Sequence, residues 1–165
     1  MANVTVGIAD LNVVKAPDSL ITYALGSCVG ICLYDPEMKI AGMAHIMLPL
    51  SKEAVQGVDN KRRYADTGIM ELIQDMNLQG ASTTRLVAKI AGGAQMFSVN
   101  SAVFNIGERN VAAVKKILAA YRIRIVAEET GQNFGIYLYF PNKPGGALIY
   151  NDSNTFHFKN FKMTY

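Results

Sequence analysis

The chain has 165 residues, half of them hydrophobic and 18% charged, with a formal net charge of +3. A chain of this length is expected to form one domain, residues 1–165, burying roughly 70% of its unfolded surface, and the composition excludes a disordered polymer. The charge excess is too small to imply nucleic acid or an anionic membrane surface as a partner.

No apolar run reaches transmembrane length, and no charged segment followed by a long apolar stretch opens the chain. Two cysteines without a leader point to a reducing cytoplasm. If Cys28 and Cys32 share a strand, they stand roughly 13 Å apart at ~3.3 Å per residue, too far to bridge.

In chain order, Val4 to Val14 reads as an opening strand region. Ile21 to Tyr34 and Ile40 to Leu48 are apolar runs separated by the turn Asp35-Pro36-Glu37-Met38-Lys39, which predicts a hairpin. The second run hardly alternates, as expected of a strand covered on both faces, and Pro49 ends it. Ser51 to Tyr64 is polar, carries Lys61-Arg62-Arg63, and reads as a long mobile loop. Ile69, Leu72, Ile73 and Met76 follow helical spacing, with Gly80 as the stop. Arg85 to Ala91 is a strand ending at Gly92-Gly93, and Val111, Val114, Ile117, Leu118 and Tyr121 mark a second amphipathic helix. Ile123–Ala127, Ile136–Phe140 and Ala147–Tyr150 are strands, the last two joined by a turn over Asn142–Gly146. The tail, 151–165, is polar with scattered aromatics and is read as partly ordered. Strands outnumber helices and are often joined by turns. This predicts an α/β or α+β fold: two mixed sheets packed as a β-sandwich, with helices outside.

The chemistry-bearing residues cluster around this hairpin. Gly26-Ser27-Cys28 stands at the head of the first run, and His45 lies within the second. An even-numbered hairpin loop, Asp35–Met38 or Pro36-Glu37, places Cys28 directly opposite His45 on one face; an odd loop turns His45 to the other face. A thiol beside an imidazole is the minimum for nucleophilic attack on a carbonyl. Small residues before Cys28 leave room for close approach and for backbone donors to an oxyanion near Ser27 and Cys28, with Gly26 and Ser27 positioning the backbone. Cys32, mid-run between Ile31 and Leu33, reads as a small core residue, and His157 as surface or tail packing. No CxxC or HxxxH pair supports a metal site, and Gly92-Gly93 lacks the flanking pattern of a phosphate-binding loop.

The segments Ile21-Thr22-Tyr23-Ala24-Leu25-Gly26-Ser27-Cys28-Val29-Gly30 and Met43-Ala44-His45-Ile46-Met47-Leu48-Pro49 resemble the CheD-type chemoreceptor glutamine deamidases. The resemblance continues through Tyr64-Ala65-Asp66, Lys89 to Phe97 and Ile106-Gly107-Glu108-Arg109-Asn110-Val111, covering roughly residues 5 to 140. It implies a Cys-His-Thr set: Cys28 as nucleophile, His45 as base, and Thr22 orienting the imidazole through its hydroxyl or its backbone carbonyl. It implies a sandwich similar to toxins that deamidate glutamine, a thioester mechanism without cofactor, and methyl-accepting chemotaxis receptors as substrate. It also implies a CheC-type phosphatase as partner. One departure stands out: Ile136 follows Gly135 where the family pattern often has Arg. In this reading an imidazolium next to Cys28 favours the thiolate and lowers the thiol pKa. Two other classes use the same residues: an adaptor whose Cys28 is idle, and a protease- or transglutaminase-like enzyme.

Overall fold

The computed structural model describes residues 2–95 and 105–131 in full, and the backbone of strands at 136–140, 148–151 and 156–157. Among the described residues, ten strands form two five-stranded mixed sheets. The first contains β1 (Asn3–Thr5), β3 (Ser19–Leu25), β8 (Ile136–Phe140), β9 (Leu148–Asn151) and β10 (Phe156–His157), in the order β1-β3-β8-β9-β10. The second contains β2 (Asp10–Lys15), β4 (Val29–Asp35), β5 (Ile40–Ile46), β6 (Val87–Gly92) and β7 (Arg124–Thr130), in the order β2-β5-β4-β6-β7. Two helices, α1 (Ala65–Leu78) and α2 (Ile106–Ala120), complete the α+β fold expected from the sequence.

Every residue of β4 and β5 is buried, because the second sheet is covered on both faces. Side-chain alternation divides them between two cores. Val29, Ile31 and Leu33 of β4, with Ile40, Ala44 and Ile46 of β5, pack against Ile69, Leu72, Ile73 and Met76 of α1 and Val114 and Leu118 of α2. Cys32 and Tyr34 of β4, with Ala41 and Met43 of β5, face the first sheet and meet Val6, Leu20 and Leu25. Burying each large aliphatic of this set contributes about 1.5–3 kcal/mol. Cys28, Gly30 and His45 fall on the sheet-facing side of this alternation.

The structure corrects the predicted hairpin in two respects. First, the run from Ile21 to Tyr34 is two strands in different sheets. β3 pairs with β1 and β8, the chain crosses over at Gly26-Ser27-Cys28, and β4 pairs with β5 and β6. Second, Asp35 pairs with Ile40, so the loop is Pro36–Lys39 and His45 lies opposite Gly30, not opposite Cys28. The reason is Asp35. Its carboxylate, fully buried, accepts the N–H groups of Glu37 (3.0 Å), Met38 (3.1 Å) and Ser82 (3.0 Å), and pairs with Arg85 at 2.8 Å. That binding set makes Asp35 the last strand residue, and Lys39 closes the loop in the left-handed region at φ 55°. The loop is still even-numbered, so the shared face of Cys28 and His45 survives; they are diagonal neighbours.

The opening region is likewise two strands in different sheets, β1 and β2. The segment Ser51 to Tyr64 is tied down and not a free loop. It holds short 3-10 turns at 51–53 and 61–63, and Arg62 bridges Asp10 (2.6 Å) and Glu71 (2.8 Å). The Asp66 carboxylate accepts Ser51 N–H at 3.0 Å and its hydroxyl at 2.7 Å. The remaining helices and strands fall where periodicity places them. The turn at 142–146, the Ile136 side chain and the tail outside β10 lie beyond the described residues.

Burial raises the carboxyl pKa of Asp35, but hydrogen bonds from Arg85, Met38 and Ser82 outweigh it and hold it below the usual carboxylate value. Replacing Asp35 with Ala leaves those donors without their acceptor. The expected loss is about 3 kcal/mol in a urea titration, with the midpoint falling and the slope unchanged.

Candidate active site

His45 is the penultimate residue of β5, projects into the space between the sheets and is fully buried. Its Nδ1 lies 2.8 Å from the hydroxyl oxygen of Thr22, on β3 of the facing sheet. That hydroxyl lies 2.7 Å from the carbonyl oxygen of Val6. A carbonyl can only accept, so Thr22 donates its single proton to Val6 and must accept from Nδ1–H. The tautomer is thereby set: Nδ1 carries the hydrogen and Nε2 carries the lone pair. Nε2 is itself buried and has no hydrogen-bond partner among the described residues. The Thr22 contact thus runs through the hydroxyl, one of the two routes left open by the sequence.

Burial also drives the His45 pKa from its ordinary value near 6.5 down to about 4. At neutral pH the ring is uncharged. The neighbouring positions do not oppose this. Gly30, opposite on β4, has no side chain, and Asp10, opposite on β2, gives its carboxylate to Arg62 and to Leu11 N–H.

Cys28 is half-buried at the edge of the inter-sheet core, on the same side as His45. Desolvation pushes its thiol pKa up, and its own backbone N–H draws it partly back. This corrects the expectation of a thiolate–imidazolium pair: with a neutral ring beside it, the resting thiol keeps its proton. Nε2 has no hydrogen-bond partner among the described residues, Cys28 included, so the two groups are not hydrogen-bonded to each other at rest. Catalytic contacts of this kind often tighten only when substrate is bound.

Three consecutive carbonyls hold the loop before β4. Gly26 O accepts Ala94 N–H at 2.7 Å, Ser27 O accepts Asn110 Nδ2 at 2.9 Å, and Cys28 O accepts Gly93 N–H at 2.7 Å. The N–H of Gly26 is already given to Ala24 O at 3.1 Å, so Gly26 serves through its carbonyl and is not a free donor. Gly92, at φ 105°, must be glycine here: a Cβ would stand 2.3 Å from Cys28 O. Gly107 at the start of α2 is as constrained, since a Cβ there would stand 2.3 Å from Ala94 O. The glycine doublet, which the sequence shows only as a turn, is thus a wedge between the cysteine loop and α2.

Asn110 lies in the resembling stretch 106–111, but the sequence reading gives it no role. It sits in a polar helix start, one residue before the apolar series, and only tertiary packing reveals that it is fully buried. Cys32 is also fully buried; desolvation raises its pKa, with Lys89 opposite it on β6 acting in the other direction. That environment suits a structural thiol. His157 lies in β10, within the sheet of Thr22. No cluster of three metal-ligating side chains occurs among the described residues.

The fold and these residues define a two-sheet α+β protein with a buried, neutral histidine and a half-buried cysteine on one inter-sheet face. A family model described as CheD chemotactic sensory transduction matches residues 47–151. A protein of Caldanaerobacter subterraneus subsp. tengcongensis named "Probable chemoreceptor glutamine deamidase CheD" is 52% identical over 146 residues, covering 87% of this chain and 90% of its own. Its counterparts from Lachnoclostridium phytofermentans and Syntrophomonas wolfei, with the same name, are 49% and 47% identical over 148 residues, covering 88% of this chain and 91% of theirs. The chain belongs to the CheD family. Its fold is also similar to that of a Neisseria meningitidis protein of the DUF152 family, at TM-score 0.51 and 11% identity, covering 81% of this chain and 65% of the other. No helix among the described residues is long and apolar enough to cross a membrane.

The His45 environment has a measurable consequence. The unfolded chain binds the imidazole proton more readily than the folded one, so stability rises with pH between the two pKa values. The His45 contribution is complete above about pH 6.5 and is lost as pH falls toward 4, about 3 kcal/mol in all. Urea midpoints measured from pH 7 to 5 should fall in the native chain and flatten in His45→Gln.

Proposed function

We propose that this chain hydrolyses the side-chain amide of glutamines on chemoreceptor proteins to glutamate and ammonia, with Cys28 as nucleophile and His45 as base. The observation that carries this reading is the relay Val6 O, Thr22 hydroxyl, His45 Nδ1–H, which leaves the Nε2 lone pair on the face shared with Cys28. The names of relatives about half identical to this chain supply the substrate class.

The chemistry follows from the protonation states. His45 Nε2 takes the thiol proton as Cys28 Sγ bonds to the amide carbon, and the carbonyl π electrons move to oxygen. Backbone N–H groups of Ser27 and Cys28 receive that oxyanion. The tetrahedral adduct collapses, the C–N bond breaks, and His45 returns the proton to the leaving nitrogen as ammonia. Water then attacks the thioester while Nε2 accepts its proton. The C–S bond breaks, the proton returns to sulfur, and a carboxylic acid remains, which ionises in water. Thr22 is a positioning residue: it holds the tautomer in which Nε2 can accept.

Each event adds one negative charge to a receptor helix and changes like-charge repulsion with its packed neighbours. A CheC-type phosphatase competing for the same surface, and a cytoplasmic location, complete this reading.

Mass spectrometry of a receptor fragment reads the amide-to-acid conversion directly. Cys28→Ala should abolish it, whereas undiminished conversion would leave an adaptor as the better description. Thr22→Val keeps the side-chain shape but removes the relay, so kcat should drop ~10-fold or more while the fold persists. Peptide cleavage, or amine incorporation without ammonia, would instead point to the protease- or transglutaminase-like class.

A further inference from the structure

From its hydrogen bonds, we infer that Asn110 is a positioning residue that aims the Cys28 backbone N–H at the oxyanion of the deamidation reaction proposed above, on which this inference rests. Asn110 is fully buried on α2, on the helix side of the second sheet. Its amide nitrogen donates to two carbonyls, Ser27 O and Met47 O, each at 2.9 Å. An amide nitrogen has two hydrogens, and both are used. The reverse amide orientation would set its oxygen against two carbonyl oxygens, so the assignment is forced.

The two acceptors are placed where the β4–β5 ladder stops. Val29 pairs with Ile46, and the next positions, Cys28 and Met47, follow without a rung of the named ladder. One side chain of α2 therefore clamps the ends of the strand that begins after Cys28 and the strand that carries His45. It also turns the peptide plane between Ser27 and Cys28. In a trans peptide the C=O and N–H point in opposite directions. The Ser27 carbonyl points toward α2, so the Cys28 N–H points away from it, toward the side where Cys28 and His45 stand. The Gly26 and Cys28 carbonyls, held by Ala94 and Gly93, steady the planes on either side. A donor fixed in advance of the reaction acts mainly on the charge that develops in the transition state.

The Asn110 oxygen supports a role beyond packing: Oδ1 is buried and has no hydrogen-bond partner among the described residues. A buried orphan acceptor works against stability. The amide is thus present for its two donors.

The test compares two reactions of the same thiol in the full-length chain. Deamidation of a receptor fragment develops an oxyanion; alkylation of Cys28 by iodoacetamide does not. Asn110→Leu should lower kcat ~100-fold, with KM and the alkylation rate each within ~3-fold of the native chain. Asn110→Ser retains one donor, and an intermediate loss of kcat at preserved alkylation is expected; it also serves if Asn110→Leu does not fold. An unchanged kcat in a folded variant overturns the inference, as does a parallel fall in kcat and alkylation, which marks a purely structural role. Cys28→Ala provides the blank for both reactions. Should deamidation survive in Cys28→Ala, the underlying enzyme reading fails; if it is Cys28-dependent but insensitive to Asn110, only the present inference fails.

Discussion

The structure turns on one proton whose direction is forced. The Val6 carbonyl can only accept, so the Thr22 hydroxyl faces it, so the His45 ring must donate from Nδ1. This chain joins a loop after β1, a strand of the first sheet and a strand of the second. The two sheets are therefore coupled by a directional hydrogen bond as well as by apolar packing. Burial keeps the ring neutral, and the relay decides which nitrogen is basic. Neither alone would leave a neutral ring with its lone pair on Nε2.

The second requirement of the proposed chemistry is a cysteine held where substrate can reach it. The chain crosses between sheets at Gly26-Ser27-Cys28, so the thiol stands at the rim of the inter-sheet core and not within it. Cys32, four residues on and at the same alternation phase, is sealed. The crossover is held by its carbonyls: Gly93 and Ala94 on one side and Asn110 on the other. The close approach of Gly92 to Cys28 and of Gly107 to Ala94 makes this possible, because any side chain there would push α2 or the cysteine loop away. The second sheet, α2 and the glycine wedge together form the support for a loop of three residues.

Much of this was legible in the sequence. Unbroken apolar runs marked strands covered on both faces, and helical spacing located both helices. The even loop preserved the shared face of Cys28 and His45, although the register moved by two residues because Asp35 is satisfied by Arg85, Ser82 and the turn N–H groups. That shift was hidden, since Arg85 and Ser82 lie far along the chain. The break between β3 and β4 was hidden for a similar reason: an apolar run does not disclose which sheet each half joins. Resemblance pointed to Thr22, and the geometry places its hydroxyl, not its carbonyl, against His45 Nδ1. Asn110 left no local signal, because its polarity suits a helix start and its burial arises only from the packing of α2 against the cysteine loop. The sequence also overstated the charge on the pair. A histidine and a cysteine side by side suggest an ion pair, but desolvation of both favours the uncharged forms.

The most direct measurement is the nitrogen-15 spectrum of the His45 ring in the folded chain, followed from pH 5 to 8. The relay predicts a single neutral tautomer across that range, with Nδ1 protonated and Nε2 showing the shift of an unprotonated ring nitrogen. A proton on Nε2, or an imidazolium at neutral pH, would contradict the account.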